Sequence, residues 1–403
     1  MKFAGYSFRG LDVLGIINRI IIGPLVKYIV IMSRFNQKAR FLNTNSRSIG
    51  HLCIDIDCFL AQSKVEKLKF KGVLLASHTA VANRWVVKMW AEHERLVVIS
   101  SPLLCFILDY LRIYPETNFD CSSYSALHDR PAKVYEIYSE GNGMNMNVDP
   151  KFLDYASRLF EKSFPGVNVE KVVVLHCRDS LFDEITENAN SDTQRYRNSD
   201  LWSYSKIIEF LINQGFTVIR IGRFLDVDAT YSGGVSVIQN SVESEKEAIE
   251  FFLSCKCALF LGSQSGALSM ASLFDRPIFV LNSLPYAAIR QFSLKSMTIP
   301  KILLRDGVAV PLVSIFGDGL YNFWSDEQYL AAGITIQNNL PDDVFLDFLD
   351  FFNCFVLCEP HQVNGLVSYR EFSVYQSFCP KNTYDYFSKS LVPMHFFRNL
   401  NLI

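Results

Sequence analysis

Two segments of the chain place polar and small residues directly after apolar, strand-like runs. Residues 172–175 are Val, Val, Val and Leu, and His176, Arg178 and Asp179 follow them. Residues 258–261 form a second apolar run, and the 262–266 loop that follows it consists of Gly262, Ser263, Gln264, Ser265 and Gly266. In an open parallel sheet, ligands bind at the carboxyl ends of the strands. We therefore expect the two segments to meet at one edge of one sheet.

The residue types at these two strand ends suit a phosphate-bearing ligand. The 262–266 loop opens a predicted helix over residues 267–274, and a helix N-terminus offers free N–H groups and a positive dipole end. The planar guanidinium of Arg178 suits phosphate oxygens, and His176 lies on the same face of its strand. The pattern predicts a nucleotide-diphosphate site, with Arg178 as the clamp. Each feature also has an ordinary structural explanation. Arg178 could form an ion pair with Asp179, His176 could be a structural histidine, and the 262–266 loop could be a plain helix cap.

Further candidates for donor binding lie on neighbouring segments. Tyr196, Arg197 and Asn198 follow a polar loop, where they could meet a phosphate or a ribose, or simply form a solvated loop before a helix cap. Arg220 and Gly222 repeat the strand-end arrangement after another apolar run. The 262–266 loop has neither the Gly-Lys-Ser/Thr of a Walker loop nor the Gly-x-Gly-x-x-Gly of a dinucleotide fingerprint.

The region around residues 49–57 reads as the first strand of an N-terminal domain. Asp57 would end that strand, with a helix cap as the alternative. The pairs Asp55/Asp57 and Asp226/Asp228 are Asp-x-Asp sequences that could hold manganese, which makes metal chemistry the second mechanism. We expect a reaction without a metal and without a cofactor.

Composition restricts the class of protein. The chain has 403 residues, of which 49% are hydrophobic and 20% are charged, enough for two domains with their own cores. The first fifty residues hold eight basic residues and one acidic residue, a net charge of +7, and the remainder carries −9. This asymmetry predicts that the basic N-terminal segment meets an anionic surface. The acidic remainder argues against nucleic-acid binding.

The apolar run at residues 13–32 predicts contact with a membrane. Its polar interruptions include Arg19 and Lys27, so a helix lying in the membrane interface is favoured over a spanning helix or packing within the fold. No cleavage site of small residues follows the run. The ten cysteines are scattered, and the close pair Cys255 and Cys257 lacks the further ligands of a zinc site. We expect a cytoplasmic protein, peripheral on the inner face of the cell membrane.

Short apolar runs that alternate with amphipathic stretches predict an α/β fold with parallel sheets. We divide the chain into a membrane-proximal segment (1–48), an N-terminal Rossmann-like domain (49–165) and a C-terminal Rossmann-like domain (166–340). An aromatic-rich extension (341–403) is expected to pack back on the domains. The two domains would face each other across a cleft.

Several of these motifs together resemble a bacterial family of glycosyltransferases of unassigned specificity, a branch of the two-Rossmann GT-B class. The resemblance covers roughly residues 50–345. It rests on residues 175–179, 196–198, 215–222 and 262–266, on Arg276 and Pro277, and on residues 49–52, 83–90 and 333–336. The His-x-Arg strand end is also similar to the fucosyltransferase-type donor site. In this chain Asp179 stands where that site has a second basic residue, which leaves open whether the transferred sugar is fucose.

The resemblance implies a hexosyl- or fucosyltransferase-like enzyme. It would move a sugar from a nucleotide-diphosphate sugar to a glycan or lipid-linked acceptor in surface polysaccharide synthesis, with inversion. The resemblance implies that residues 49–165 form the acceptor domain and residues 166–340 the nucleotide-sugar domain. An inverting transferase often takes its general base from the cleft side of the first domain, which implies that role for Asp57, with His51 and Asn83 on the acceptor side. In GT-B enzymes backbone N–H groups and basic side chains, rather than a metal, stabilise the departing diphosphate. Two alternatives stay open: a sugar-nucleotide epimerase of the same fold, and a catalytically silent scaffold at the membrane.

Overall fold

A computed structural model of the chain describes residues 38–109, 118–121, 136–178, 191–222, 234–238, 242–288, 295–357, 376–381 and 390–401. Three features singled out in the sequence lie outside these ranges: the apolar run at 13–32, Asp179, and the pair Asp226 and Asp228. Within the described ranges, no helix combines the length and the apolar character needed to cross a membrane.

Four parallel strands form the first sheet, in the spatial order β3-β2-β1-β4. The strands are β1 (Ala39–Asn43), β2 (Lys71–Leu75), β3 (Leu96–Ile99) and β4 (Asn118–Asp120). The helices of this part of the chain are α1 (Ile56–Val65), α2 (Arg84–Ala91), α3 (Pro102–Asp109) and α4 (Pro150–Ser163). Two π-helical turns, His51–Asp55 and Tyr138–Asn142, accompany them, and the first leads directly into α1.

Six parallel strands form the second sheet, in the spatial order β10-β9-β8-β5-β6-β7. They are β5 (Val172–His176), β6 (Thr217–Arg220), β7 (Val235–Val237), β8 (Leu259–Gly262), β9 (Ile278–Ser283) and β10 (Ser296–Pro300). The helices between them are α5 (Ser205–Asn213), α6 (Glu243–Lys256) and α7 (Leu268–Ser272). Short 3₁₀ turns cover Val169–Lys171, Ser191–Arg197, Leu201–Tyr204 and Tyr286–Ala288. The predicted α/β class with parallel sheets is thus confirmed.

A small antiparallel sheet and several helices complete the described structure. The sheet contains β11 (Ile302–Arg305), β12 (Val308–Ala309) and β13 (Ile334–Gln337), with β11 in the centre. The helices are α8 (Leu312–Gly317), α9 (Asp326–Ala331), α10 (Pro341–Phe355) and α11 (Met394–Asn399), with a 3₁₀ turn at Leu320–Asn322. The ring of Phe348 in α10 lies 5.2 Å from that of Phe279 in β9, so α10 covers one face of the six-stranded sheet.

Strand β5 separates two apolar cores. Val172 and Val174 point into a core that also includes residues of the first sheet, α4 and α6. Val173 and Leu175 point into a core built with α5 and α10. Successive side chains of a strand point to opposite faces, so a strand that is buried on both sides is apolar throughout. This explains the uninterrupted apolar run that precedes His176.

Salt-bridged and aromatic contacts join the parts of the structure that carry the two parallel sheets. The guanidinium of Arg84 in α2 donates to the carboxylate of Glu247 in α6 at 3.0 to 3.2 Å. The ring of Phe152 in α4 lies 4.7 Å from that of Trp85 and 5.2 Å from that of Phe251. Helices α2 and α4 therefore pack directly on α6.

The expected strand at residues 49–57 is wrong, because this segment is helical. The π-helical turn His51–Asp55 and α1 are nearly continuously buried, from Leu52 to Ala61. A helix surrounded by other elements is apolar on all sides, so its sequence cannot be told from that of a buried strand by periodicity. Asp57 consequently lies in the first turn of α1 and not at a strand end.

Two further boundaries differ from the sequence-based expectation. β1 lies at residues 39–43, inside the segment that we assign to the membrane surface, and it pairs with both β2 and β4. The second sheet also gains β10, which pairs in parallel with β9 and was not among the predicted strands. Residues 38–48 therefore belong to the folded part of the chain.

Candidate functional site

Three neighbouring strands end side by side at the carboxyl edge of the second sheet. β5 lies between β8 and β6, with His176 opposite Gly262 and Leu175 opposite Arg220. The expectation that the His176 and Gly262 segments share one sheet edge is confirmed by this pairing. The polar residues that follow these strands therefore converge in space, although they are distant in sequence.

His176 is held tightly by the loops around it. Its Nδ1 lies 3.0 Å from Oγ of Ser265, and its carbonyl accepts a 2.9 Å hydrogen bond from the N–H of Ser263. A Cβ atom on Gly262 would come 2.3 Å from the carbonyl oxygen of His176, and one on Gly222 would come 3.0 Å from its Cδ2. Gly222 also has a φ of +91°, which favours glycine. The two glycines thus let three chain segments pack on one histidine.

Arg178 is fixed at both its backbone and its side chain. Its N–H donates to Oγ of Ser263 at 2.8 Å, and its carbonyl accepts from the N–H of Ser199 at 2.8 Å. Its Nε donates to Oδ1 of Asn198 at 3.1 Å. The residue is only 7% exposed. A guanidinium that is held in this way is preorganised for a ligand at the sheet edge, because little side-chain freedom remains to be lost on binding.

Two buried guanidinium groups lie beside His176 at the sheet edge. The pKa of His176 is lowered from 6.5 to about 4, chiefly because burial disfavours the charged imidazole and then because the guanidinium groups of Arg220 and Arg178 disfavour a further positive charge. Arg220 itself is 5% exposed at the end of β6. The imidazole is therefore neutral at pH 7, and the guanidinium groups are donors of the kind that bind phosphate oxygens.

The triplet Tyr196, Arg197 and Asn198 divides between two roles. Asn198 accepts from Arg178, and Arg197 donates to the carbonyl of Gln264 at 3.3 Å. These two residues thus join His176, Arg178, Arg220, Gly222 and the 262–266 loop in what we call the donor-side cluster. Tyr196 turns into the core instead, where its ring lies 5.6 Å from that of Tyr329 and burial raises its pKa. The structure thus brings together His176, Arg178, Arg197, Asn198, Arg220, Gly222 and the 262–266 loop.

The 262–266 loop contributes side-chain and backbone contacts rather than a long helix. The helix that we expect over residues 267–274 is confined to α7, residues Leu268–Ser272. A helix of this length carries a weak dipole, so the predicted phosphate site at its N-terminus is not supported. The hydroxyls of Ser263 and Ser265 hold Arg178 and His176, and Oε1 of Gln264 accepts from Oγ of Ser283 at 3.0 Å.

Lys301 lies directly after β10 at the same edge and is not among the candidates drawn from the sequence. Its side chain is 4% exposed, and its ammonium donates to the carbonyl of Asn198. Burial lowers the pKa of Lys301 to about 8. The signal that could have found it is the strand-like run at residues 296–300 followed by a basic residue, the same pattern that marks Arg178 and Arg220.

The residues expected on the acceptor side have separate structural surroundings. Asn83 is 2% exposed, caps α2 by accepting from the N–H groups of Trp85 and Val86, and donates to the carbonyl of Glu247 at 3.1 Å. The polar atoms of Asn83 are therefore used in joining α2 to α6. His51 lies in the π-helical turn before α1, with its Nδ1 2.9 Å from Oδ2 of Asp55.

The carboxylate of Asp57 anchors a loop of the first sheet. It accepts from the N–H of Met144 at 2.7 Å, from the N–H of Asn145 at 2.7 Å and from Nδ2 of Asn145 at 2.8 Å. The side chain is fully buried. A general base needs a lone pair within reach of the substrate proton, so this position does not suit the catalytic role expected for Asp57.

The described residues do not form the metal site of the second mechanism. Asp55 contacts His51 and Thr44, whereas Asp57 contacts residues 144 and 145, so the two carboxylates have separate partners. No group of three His, Cys, Asp or Glu side chains in the described ranges could hold a metal ion. The nine cysteines in those ranges are free thiols, and burial raises the pKa of Cys257 to about 12, which keeps this thiol protonated.

Comparisons with known proteins return structural likenesses only. No protein-family model matches the chain, and no curated protein matches it. The structure of ADP-heptose LPS heptosyltransferase II from E. coli is 11% identical, with a TM-score of 0.42 over 68% of this chain and 92% of the other. A family 9 glycosyl transferase from Veillonella parvula is 9% identical, with a TM-score of 0.45 over 79% and 97%. The fucosyltransferase NodZ from Bradyrhizobium is 13% identical, with a TM-score of 0.33 over 60% and 95%. Since these TM-scores are below 0.5, the likeness assigns neither an activity nor a substrate to this chain.

Proposed function

We propose that the chain is a glycosyltransferase that takes a sugar from a nucleotide-diphosphate sugar without a metal ion. One observation carries the proposal: two buried arginines lie beside the neutral imidazole of His176, Arg178 just beyond the end of β5 and Arg220 at the end of the adjacent strand β6. A departing nucleoside diphosphate is an anion that needs such compensation. Fixed donors in a site that excludes water stabilise this charge more strongly than water does.

In the proposed site, Arg178 and Arg220 meet the diphosphate, and the backbone of the 262–266 loop approaches it closely. His176 holds the loops after β6 and β8 together, because its ring is packed against Gly222 and contacts Ser265. Asn198 and Lys301 hold the guanidinium of Arg178 in place through one loop. The acceptor would enter from the side of the first sheet and the π-helical turn His51–Asp55. This arrangement is that of a GT-B enzyme.

The finer assignments stay proposals of the same kind. We propose a hexosyl- or fucosyltransferase-like reaction with inversion, a glycan or lipid-linked acceptor in surface polysaccharide synthesis, and a peripheral location on the inner face of the membrane. The basic composition of the N-terminal fifty residues supports the last of these, since each Lys or Arg near an anionic leaflet contributes about 1 kcal/mol.

A ligand screen by thermal shift tests the proposal. The full chain is mixed with ADP, GDP, UDP and inorganic pyrophosphate, each with and without EDTA. A ligand at about a hundred times its Kd adds about 2.7 kcal/mol of apparent stability. We expect at least one nucleoside diphosphate to raise Tm equally in both conditions. If none does so, the donor site is misassigned, and if the shift disappears with EDTA, the metal-free reading is wrong.

A further inference from the structure

A buried carboxylate holds an imidazole at the beginning of the helix that leads into α1. Nδ1 of His51 lies 2.9 Å from Oδ2 of Asp55, four residues later. The side chain of Asp55 is fully buried, whereas 30% of the His51 side chain is exposed. Oγ1 of Thr44 donates to the same carboxylate oxygen at 2.8 Å. The carboxylate is therefore fixed by the fold, and the imidazole that it holds reaches the surface.

This contact determines which nitrogen of the ring is basic. A carboxylate accepts hydrogen bonds, so Nδ1 of His51 carries the proton that bonds to Asp55. In the neutral ring the basic electron pair is then at Nε2, on the far side from Asp55. The pair thus has the form of a general base with its orienting group.

The pair lies beside the donor-side cluster. A Cβ atom on Gly266 would come 2.7 Å from the backbone nitrogen of Gly50 and 2.8 Å from Cγ2 of Ile49. Gly266 closes the loop in which Ser265 contacts His176. The residue immediately before His51 therefore touches the residue immediately after Ser265, and Gly266 permits this close approach of two backbones. A group on His51 is at the boundary between the two sheets, next to the proposed diphosphate site.

We propose that His51 is the general base of the transfer, and that Asp55 is its positioning residue. The inference rests on the proposed function. Nε2 of His51 takes the proton of the acceptor hydroxyl while that oxygen forms a bond to the anomeric carbon of the donor sugar. The bond between this carbon and the diphosphate oxygen breaks, and its electron pair leaves with the nucleoside diphosphate. The imidazolium then returns its proton to water.

The variants His51→Ala and His51→Gln test this role. The full chain is assayed for release of nucleoside diphosphate from a panel of nucleotide sugars, with glycan acceptors or water as the acceptor. We expect a loss in kcat of roughly 10²- to 10⁴-fold in both variants, the usual contribution of a positioned base. Calorimetry should show unchanged affinity for the nucleoside diphosphate that the wild type binds. Added imidazole should restore part of the turnover of His51→Ala but not that of His51→Gln, which fills the space.

A double-mutant cycle distinguishes positioning by Asp55 from a purely structural role. Asp55→Asn should lower kcat when His51 is present and change it little in the His51→Ala background, because the two residues act as a unit. A structural role would instead give the same further loss in both backgrounds. Such equal losses would overturn the role of Asp55.

His395→Ala is the matched control, because His395 forms the same kind of histidine–aspartate pair. Its Nε2 lies 3.0 Å from Oδ2 of Asp350, and the two residues belong to α11 and α10 and not to the donor-side cluster. We expect it to retain full turnover. Full turnover in folded His51 variants that still bind the nucleoside diphosphate would overturn the inference and leave the donor site standing. A wild type that releases no nucleoside diphosphate from any nucleotide sugar would overturn both.

Discussion

Nδ1 of His176 and Oγ of Ser265 lie 3.0 Å apart, which ties the end of β5 to the loop after β8. The two residues are 89 positions apart in the sequence. The imidazole is packed against Gly222 after β6, so it contacts the ends of three adjacent strands. Any ligand at this edge therefore meets a surface whose parts are held together by one neutral side chain.

We expect His176 to make the protein less stable in acid. Its pKa is lowered from 6.5 to about 4 by burial and by Arg220 and Arg178. Below about pH 6.5 the unfolded chain binds a proton that the folded chain does not bind until about pH 4, so stability is lost across that window as pH falls. At 1.36 kcal/mol per pKa unit, the loss is at most about 3 kcal/mol.

Urea unfolding of the wild type and of His176→Gln at about pH 7.5 and about pH 5 measures this term. The acid loss should be smaller in His176→Gln, which does not titrate, and contributions from other groups cancel in the comparison. Equal acid losses in the two proteins would contradict the assignment.

Arg178→Ala should weaken binding of the nucleoside diphosphate found in the ligand screen. Removing one partner of a buried, charge-assisted contact commonly costs about 2–5 kcal/mol, or roughly 30- to 4,000-fold in Kd. Calorimetry checks the affinity. Arg305→Ala is the control, because Arg305 at the end of β11 is exposed and pairs with Asp318. Unchanged affinity in a folded Arg178→Ala protein would remove the clamp from this residue.

Gly262→Ala should destabilise the protein and distort the donor-side cluster. The added Cβ would come 2.3 Å from the carbonyl oxygen of His176, a backbone atom that cannot move without shifting β5. Overpacking of this kind costs about 1–3 kcal/mol or more. Gly317→Ala at the end of α8 meets no atom within 4 Å and should be neutral or slightly stabilising. Denaturant melts of the two variants measure the difference, and equal stabilities would show that the strand end relaxes freely.

Asp57→Asn should lower stability while leaving turnover intact in the folded protein. An amide presents one acceptor oxygen where the carboxylate presents two, so at least one N–H group of residues 144 and 145 loses its partner. An unsatisfied buried donor costs roughly 1–3 kcal/mol. Asp149→Asn is the control, since asparagine caps a helix as well as aspartate does and Asp149 caps α4. A stable Asp57→Asn protein without turnover would return the role of base to Asp57.

Truncation separates the membrane-directed segment from the fold. Deletion of residues 1–37 should leave a folded protein that binds the nucleoside diphosphate but no longer sediments with anionic liposomes. Deletion of residues 1–48 should abolish folding, because β1 pairs with both β2 and β4 in the first sheet. Circular dichroism and liposome sedimentation check the two truncated proteins. Retained sedimentation after the shorter deletion would place the membrane contact elsewhere.

The sequence alone identified the strand ends that carry the proposed donor site. Runs such as residues 172–175 and 258–261 are apolar throughout because both faces of a central parallel strand are buried. His176, Arg178, Arg220 and Gly262 stand where those runs stop, so their position at a sheet edge follows from local pattern. The spatial order β8-β5-β6 then brings these strand ends together.

The tertiary structure decided what the sequence could not express locally. Residues 49–57 are apolar whether they form a buried strand or a buried helix, and only the surrounding elements distinguish the two. The partners of Asn83, Asp57 and Lys301 lie 164, 87 to 88 and 103 positions away along the chain, so no spacing rule could connect them. The helical form of residues 51–55 in turn places His51 on Asp55, because side chains four residues apart share one face of a helix. The hydrogen bonds made across the fold thus identify Asp57 as a buried anchor of the 144–145 loop. They leave the partly exposed His51 as the proposed base.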